Sequence, residues 1–228
     1  MTPHELDRPA WASLTSRHAG FAEGDTRARR YRPAIVPFAA SADDSPESLS
    51  ALGALLKPGE TAVLLQAGAI RLPASLRTSR RAEGVQMLAG GSFAPFEDER
   101  VMQLGPADAA DMLALARLTE PGPFSLKALD IGGFWGVREN GRLVAMAGER
   151  MAQPGYVEVS GVCTHPDARG RGLARLLSRY VAGRIAAAGD RPYLHAFATN
   201  TPAIRLYESI GFVLRKTMQV AVIGRDEV

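Results

Sequence analysis

One joint between two elements constrains this chain more than any other feature of its 228 residues. The apolar run YVEVSGVCT, residues 156–164, predicts a β-strand, and GLARLLSRYVAGRIAAAG, residues 172–189, predicts a helix with an apolar stripe. Between them lies HPDARGRG, rich in glycine and arginine. The first turn of a helix leaves backbone N–H groups without partners, and glycines let a ligand reach them. The joint therefore predicts a cradle for an anion, most often a phosphate.

Two common phosphate-binding loops do not fit this joint. The dinucleotide fingerprint needs a third glycine where Arg175 stands, and the chain holds no Walker A run. The spacing that fits is Arg169-x-x-Gly172-x-Ala174. This spacing resembles the Gln/Arg-x-x-Gly-x-Gly/Ala signature of the GNAT superfamily, the acyl-CoA-dependent N-acetyltransferases.

The surroundings of the joint strengthen this resemblance. From residue 99 to 223 we predict a strand, a helical segment, a three-strand meander, the cradle helix, and a closing strand, helix and strand. Asn140–Gly141 is the predicted turn of a hairpin in this region, and Thr201 is the predicted N-cap of the last helix. VCTHPD before the cradle and NTPAIRLYESIGF at residues 200–212 are similar to family segments. The resemblance implies an α/β (α+β) protein: a GNAT fold with a mixed, mostly antiparallel central sheet, formed by residues 99–228.

Residues 1–98 lie outside this resemblance. RPAIVPFAA at 32–40, GETAVLLQ at 59–66 and EGVQMLAG at 83–90 predict strands. A helix between the first two has Ser45 as its predicted N-cap and Pro46 just inside. We therefore expect an N-terminal α/β region with no assigned role, and a boundary near residue 98.

The resemblance also implies a co-substrate site for acetyl-CoA and no metal. The backbone N–H of Val162 is expected to face the thioester carbonyl, with Cys163 and Thr164 along the pantetheine arm. Asn200 matches a position that commonly bonds the pantetheine amides, although it equally suits a turn. The residues expected to hold the diphosphate are Arg169, Gly170, Arg171, Gly172, Leu173 and Ala174.

Acetyl transfer to an amine requires loss of an ammonium proton and protonation of the leaving thiolate. By resemblance, Glu158 on the strand before the cradle is the expected general base, and Tyr207 on the last helix protonates the thiolate. A salt-bridged Glu158 and a core Tyr207 are the alternative interpretations, and Glu149 is a weaker candidate base. Cys163 has no convincing histidine partner, so we expect a buried or cofactor-lining thiol rather than a nucleophile. His195 is expected to be a packed strand residue.

The implied function is transfer of an acetyl group from acetyl-CoA to a primary amine by direct attack. A small amine or amino acid is the first expected acceptor, and a protein amine is the second. One alternative is a non-catalytic acetyl-CoA-binding regulator, which would need neither Glu158 nor Tyr207. Another is a nucleic-acid-binding module that uses the N-terminal arginines. Such a module needs aromatic residues interleaved with its basic residues, and only Tyr31 lies inside an arginine cluster.

Composition narrows the partners and the compartment. The 27 basic and 24 acidic residues give a net charge of +3, which is too small to argue for nucleic acid. The single cysteine excludes an intrachain disulfide, and no apolar run has the length of a membrane span. We therefore expect a cytoplasmic protein without membrane or nucleic-acid partners, and a homodimer stays open.

Overall fold

A computed structural model describes residues 4–226. The α-helices, numbered in chain order, are α1 (Pro9–Leu14), α2 (Pro46–Leu55), α3 (Ala109–Thr119), α4 (Leu173–Ala187) and α5 (Thr201–Ser209). The strands are β1 (Ala22–Gly24), β2 (Ala28–Tyr31), β3 (Ala39–Ser41), β4 (Thr61–Gln66), β5 (Arg77–Ala89), β6 (Met102–Leu104), β7 (Phe134–Glu139), β8 (Arg142–Gln153), β9 (Tyr156–Thr164), β10 (Arg191–Phe197) and β11 (Phe212–Gly224).

Eight of these strands form the central sheet, in the order β4-β11-β5-β10-β9-β8-β7-β6. Within it, β9 and β10 pair in parallel, and each of the other neighbouring pairs is antiparallel. This arrangement confirms the expected mixed, mostly antiparallel sheet. The remaining strands β1, β2 and β3 form a small antiparallel sheet of their own.

The sheet does not divide at the boundary expected near residue 98. Strand β5 lies between β11 and β10, and β4 pairs with the other side of β11. Two strands of the expected N-terminal region therefore belong to the same sheet as the C-terminal elements. A sequence pattern indicates which segments form strands but not which strands pair with each other. The position of β5 between β11 and β10 was therefore not predictable from residues 1–98 alone.

The two faces of the central sheet carry different layers. Helix α4 packs on one face, where Leu177 and Val181 are fully buried against Val157 and Val159 of β9. Residues 4–41 cover part of the other face. Their buried Leu6 and Tyr31 join a core with Met151 of β8 and Tyr193 of β10.

Two local predictions are confirmed. Ser45 caps α2, and its hydroxyl accepts the amide N–H of Ser48. The turn between β7 and β8 holds Asn140 and Gly141 at positive φ angles of 49° and 80°, as a tight hairpin turn requires.

Two local predictions are wrong. The strand predicted at residues 32–40 is limited to Ala39–Ser41 in this part of the chain. Pro33 and Pro37 cannot donate to a ladder, so the segment before β3 forms a turn that buries Ile35 and Val36. In α5 the N-cap is Asn200 rather than Thr201, because the Asn200 side chain accepts the amide N–H of Ala203.

Candidate active site

The central sheet opens where β9 and β10 separate. Their parallel pairing ends at Val159 and Leu194, after which β9 stays paired with β8 and β10 stays paired with β5. A cavity of about 170 Å³ lies at this opening. Ser160 and Val162 of β9 line it from one side, and His195 of β10 lines it from the other. We call this space the acceptor cavity.

A bulge in β9 shapes the wall of the acceptor cavity. The register between β8 and β9 shifts between the pairs Gly148–Ser160 and Met146–Cys163, so Gly161 and Val162 together face one residue of β8. Gly161 has a φ angle of 62°, which favours glycine. A bulge takes backbone groups out of the regular ladder, and this one lies where the resemblance expects the Val162 N–H to face a thioester.

The joint between β9 and α4 has the features of an anion cradle. Gly170 and Gly172 have φ angles of 75° and 76°, and a Cβ on either would meet no atom within 4 Å. The amides from Gly170 to Ala174 donate to no acceptor among residues 4–226. Free N–H groups, an open approach and a helix N-terminus fit the diphosphate of a coenzyme A molecule.

The arginines at the cradle differ in their surroundings. Arg171 forms a two-point ion pair with Glu139 of β7, at 2.6 and 2.8 Å. Arg169 makes no ion pair or side-chain hydrogen bond within the described part of the chain. The guanidinium of Arg169 is exposed and therefore available to a phosphate oxygen.

Tyr207 and Asn200 of the α5 region also line the acceptor cavity. The hydroxyl of Tyr207 makes no hydrogen bond among residues 4–226, although the residue is only 8% exposed. Burial raises the pKa of the Tyr207 phenol to about 12, so the group keeps its proton at neutral pH. Asn200 uses its side-chain oxygen to cap α5, which leaves its NH₂ group for other contacts.

Cys163 and Thr164 lie at the end of β9 with little exposure of their polar atoms. Burial raises the pKa of the Cys163 thiol to about 11, so it is protonated at neutral pH and a poor nucleophile. The hydroxyl oxygen of Thr164 is buried without a hydrogen-bond partner among residues 4–226. The structure does not place either side chain on the acceptor cavity.

Glu158 is fully buried and bound on both oxygens. Arg150 donates from Nε to Oε2 at 2.9 Å and from Nη2 to Oε1 at 2.6 Å, and Nδ1 of His195 lies 2.7 Å from Oε1. Burial alone would raise the pKa of Glu158, but the charge of Arg150 and the hydrogen bond with His195 hold it well below its usual range. These surroundings do not suit the expected role of general base, because a base must gain a proton during turnover.

His195 connects Glu158 to the N-terminal segment. Arg215 donates to Oε1 of Gln86 at 2.7 Å, so the amide NH₂ of Gln86 faces the carbonyl oxygen of Leu6 and Nε2 of His195, each at 2.9 Å. Nε2 of His195 therefore accepts, and the ring proton sits on Nδ1, which donates to Glu158. Because both ring nitrogens take part in hydrogen bonds, His195 lines the cavity but is not free to act as a general base.

Arg150 places a charged group on the wall of this cavity. Its side chain is 12% exposed, lines the cavity, and stacks on Phe38 with 4.7 Å between the guanidinium carbon and the ring centroid. Nη1 makes no hydrogen bond within residues 4–226. Phe38 belongs to the N-terminal segment, so that segment forms part of the wall.

Glu149 does not line the acceptor cavity itself but lies next to Arg150 in β8. It lines a small space of about 10 Å³ together with Ser160 and Gly161, which is the volume that one water molecule needs, and it also lines a pocket of about 340 Å³ together with Arg17 and Asp190. Burial raises the pKa of Glu149, and the hydrogen bond from the Gly133 amide offsets only part of that effect. A half-buried carboxylate with a raised pKa is better suited to accept a proton than Glu158.

The site therefore includes residues that the sequence did not indicate. Val162, Tyr207 and Asn200 were expected and share the acceptor cavity, while the cradle residues lie apart at the start of α4. Arg150 and Phe38 were missed, because the first faces Glu158 only through strand pairing and the second comes from a distant segment. His195 carried a weak signal as a histidine on the strand that borders the opening.

The geometry agrees with comparisons to known proteins. The family model described as FR47-like protein matches residues 134–220. A solved GNAT-family protein from Novosphingobium aromaticivorans is 43% identical, with 98% of this chain and 100% of that chain covered and a TM-score of 0.92. The chain belongs to the GNAT family. It is an acetyltransferase by family, which confirms the resemblance derived from the cradle.

Other comparisons bear on the fold alone. A GCN5-related N-acetyltransferase from Kribbella flavida aligns over 96% of this GNAT chain and 95% of its own at 17% identity, with a TM-score of 0.65. No curated protein sequence matches the chain. Among residues 4–226, no helix combines the length and the hydropathy that crossing a bilayer demands.

Proposed function

We propose that this protein transfers an acetyl group from acetyl-CoA to a primary amine by direct attack of the amine on the thioester. One observation carries the proposal: Tyr207 and the bulged part of β9 face the same cavity where β9 and β10 separate. The free amides of the cradle, on the element that follows β9, support acetyl-CoA as the donor. A small amine or amino acid is the first candidate acceptor, and a protein amine is the second.

Tyr207 acts on the leaving-group side of this reaction. The amine nitrogen forms a bond to the carbonyl carbon, the carbon–sulfur bond breaks, and the thiolate takes the phenol proton. A phenol with a pKa of about 12 holds that proton until the thiolate develops. The N–H of Val162, which lies in the bulge of β9, supports charge on the carbonyl oxygen.

Glu149 acts on the amine side. Glu149, Ser160 and Gly161 line one small space with room for a single water molecule, and Ser160 and Gly161 also line the acceptor cavity. The amine loses its proton to this water, and the water passes a proton to Glu149. Glu158 has a positioning role, because it holds Arg150 and His195 in place from beneath the cavity.

The N-terminal segment completes the acceptor side. Phe38 stacks on Arg150, Ser125 donates to the carbonyl oxygen of Ile35 at 2.7 Å, and Gln86 donates to that of Leu6. We assign to residues 4–41 the role of closing one wall of the cavity. The single cysteine, a buried thiol, agrees with a reducing compartment, and we place the reaction in the cytoplasm.

The decisive experiment is release of free coenzyme A from acetyl-CoA, measured with a thiol reagent across a panel of primary amines. Turnover with at least one amine, and an N-acetylated product of matching mass, is the expected result. Tight binding of acetyl-CoA in calorimetry without turnover on any amine would instead favour the non-catalytic regulator.

A further inference from the structure

The acceptor cavity continues outward into a larger groove of about 510 Å³. The groove runs between α3 and the sheet formed by β4, β11 and β5. Cavity and groove share Val63, Phe197, Val220 and the loop that begins at Glu120. A molecule whose amine reaches the cavity therefore has room for a substantial body in the groove.

The floor of the groove is formed by residues that are aligned across three neighbouring strands. Val63, Val222 and Arg80 lie side by side across β4, β11 and β5, and Leu65, Val220 and Ala82 form the next row inward. Side chains alternate along a strand, so Arg80 shares a face of β5 with Gly84, which lines the acceptor cavity. Four residues of strand separate the two positions, so their Cα atoms lie about 13 Å apart, and this spacing sets the scale for the length of a ligand that spans them.

The opposite wall comes from α3. Leu113, Ala116 and Arg117 share one face of this helix, since they are three and four residues apart, and all line the groove. The walls are thus mainly hydrocarbon, with Arg80 and Arg117 as the cationic groups. Neither arginine makes an ion pair or a side-chain hydrogen bond within residues 4–226.

The charges are ordered along the groove. Glu120 lines both the groove and the acceptor cavity, and it gives the inner end a negative charge because the other charged group on the cavity wall, Arg150, is paired with Glu158. Arg80 and Arg117 line the groove but not the acceptor cavity, so they give the groove a positive charge outside the cavity. This order is complementary to a molecule with an amine at its inner end and an anion at its outer end.

We propose that the acceptor is an elongated amine, with an apolar body and a carboxylate or phosphate about 13 Å from the nitrogen. The inference rests on the proposed function and specifies its substrate class. Guanidinium groups bind both anions through charge-assisted hydrogen bonds. A hydrocarbon body suits the walls better than a peptide backbone, whose N–H and C=O groups would lie against valine and alanine without partners.

The test compares three series of amines with acetyl-CoA as donor: ω-amino carboxylates, matching aminoalkyl phosphates, and n-alkylamines of equal length. We expect kcat/KM for one or both anionic series to exceed that of the alkylamines and to peak where the extended amine-to-anion distance is about 13 Å. The series with the larger excess identifies the anion. Raising the salt concentration should reduce that excess, because the arginines are exposed.

Arg80→Gln and Arg117→Gln test the two arginines individually. Each should lower kcat/KM for the anionic amines on the order of 10-fold, while the alkylamines and the KM for acetyl-CoA stay unchanged. Arg81→Gln is the matched control, since Arg81 is an exposed neighbour on the opposite face of β5. It should leave both series unaffected.

Three results would overturn the inference. The first is equal loss with anionic amines and alkylamines, and the second is an absence of any optimum in chain length. The third is a shift in preference toward longer acyl-CoA donors in the arginine variants, which would assign the groove to the acyl chain. An absence of turnover with every amine, alkylamines included, would contradict the proposed function as well.

Discussion

Glu158 of β9 and Arg150 of β8 form a buried ion pair with two hydrogen bonds, Nε to Oε2 at 2.9 Å and Nη2 to Oε1 at 2.6 Å. A second register shift between β8 and β9, between Glu149 and Ala152, brings the two side chains onto the same face. The pair gives the acceptor cavity a fixed guanidinium on its wall while the carboxylate is turned away from it. Glu158 therefore acts on the reaction through Arg150 and His195.

Glu158→Gln should destabilise the protein, because it leaves Arg150 buried without its counter-charge. Breaking such a pair costs about 3–5 kcal/mol. Denaturant unfolding measures this loss, with Glu99→Gln on the exposed loop before β6 as the control. An unchanged free energy of unfolding, together with a turnover loss confined to the acidic limb of the pH profile, would restore Glu158 as the base.

The same pair sets a pH dependence of stability. The folded pKa of Glu158 is lowered, so its contribution is present above the ordinary glutamate pKa of about 4.3 and is lost as the pH falls below that value. The free energy of unfolding of the wild type should decrease more steeply below this pH than that of Glu158→Gln. Parallel curves for the two proteins would contradict the assigned shift.

Patterns confined to neighbouring residues predicted much of this site. The cradle between β9 and α4 follows from glycines at a strand–helix joint, and α5 follows from a helix motif that ends at Gly211. Both lie within single stretches of chain, where spacing and periodicity act directly. These stretches also supplied the family resemblance that the comparisons confirm.

Contacts between distant strands were beyond the reach of the sequence. Nothing in the sequence of β8 indicates that Arg150 contacts Glu158, because this contact depends on the register shift between β8 and β9. Likewise, nothing in the segment around Phe38 shows that it stacks on Arg150, and nothing in β5 shows that it inserts between β10 and β11. These features depend on which strands pair, and a one-residue change of register would reverse them.

Gly172→Glu tests the cradle. Gly172 has a φ angle of 76°, and its Cβ position faces open space, so the new side chain would block the ligand rather than the fold. Affinity for acetyl-CoA in calorimetry should fall at least about 100-fold from obstruction and like-charge repulsion. Gly189→Glu is a matched control at the other end of α4, with a φ angle of 88° and equally open surroundings.

The control separates strain from binding. Both substitutions place a non-glycine residue at positive φ, at a cost of roughly 1–2 kcal/mol. Both variants should therefore lose similar stability in thermal unfolding, and only Gly172→Glu should lose acetyl-CoA. Retained affinity in a folded Gly172→Glu protein would contradict the cradle.

Tyr207→Phe tests the proton donor. The ring of Tyr207 packs near Phe212, with centroids 6.2 Å apart, and the phenylalanine ring keeps this contact. Turnover should fall roughly 10- to 100-fold, with unchanged stability and acetyl-CoA affinity, because the substitution removes only the hydroxyl group that donates the proton. A thioester with a more acidic leaving thiol should react at nearly equal rates in variant and wild type.

Tyr180→Phe is the control for this prediction, since Tyr180 is a buried tyrosine of α4 whose hydroxyl donates to Glu97 at 3.3 Å. Its turnover should match the wild type. If Tyr207→Phe loses acetyl-CoA or unfolds, Tyr207 is a structural residue. If the loss of turnover persists with the acidic leaving thiol, proton donation is not its role.

Glu149→Gln tests the proton acceptor, and its expected signature is opposite to that of Glu158→Gln. Burial raises the pKa of Glu149, so the ionised form is disfavoured in the folded protein. Its favourable contribution is present below the unfolded pKa and is lost as the pH rises through the folded pKa. A neutral glutamine at this position should therefore keep or increase stability at neutral pH.

The kinetic effect of Glu149→Gln follows from the same raised pKa. A base must be deprotonated, so wild-type turnover should decline with falling pH above the range of an ordinary carboxylate, and this limb should be absent from the variant. Turnover at neutral pH should fall on the order of 100-fold. Glu120→Gln, which removes a carboxylate at the cavity mouth, should keep the limb. A Glu149→Gln protein with normal turnover and an unaltered limb would assign the proton to solvent or to Glu120.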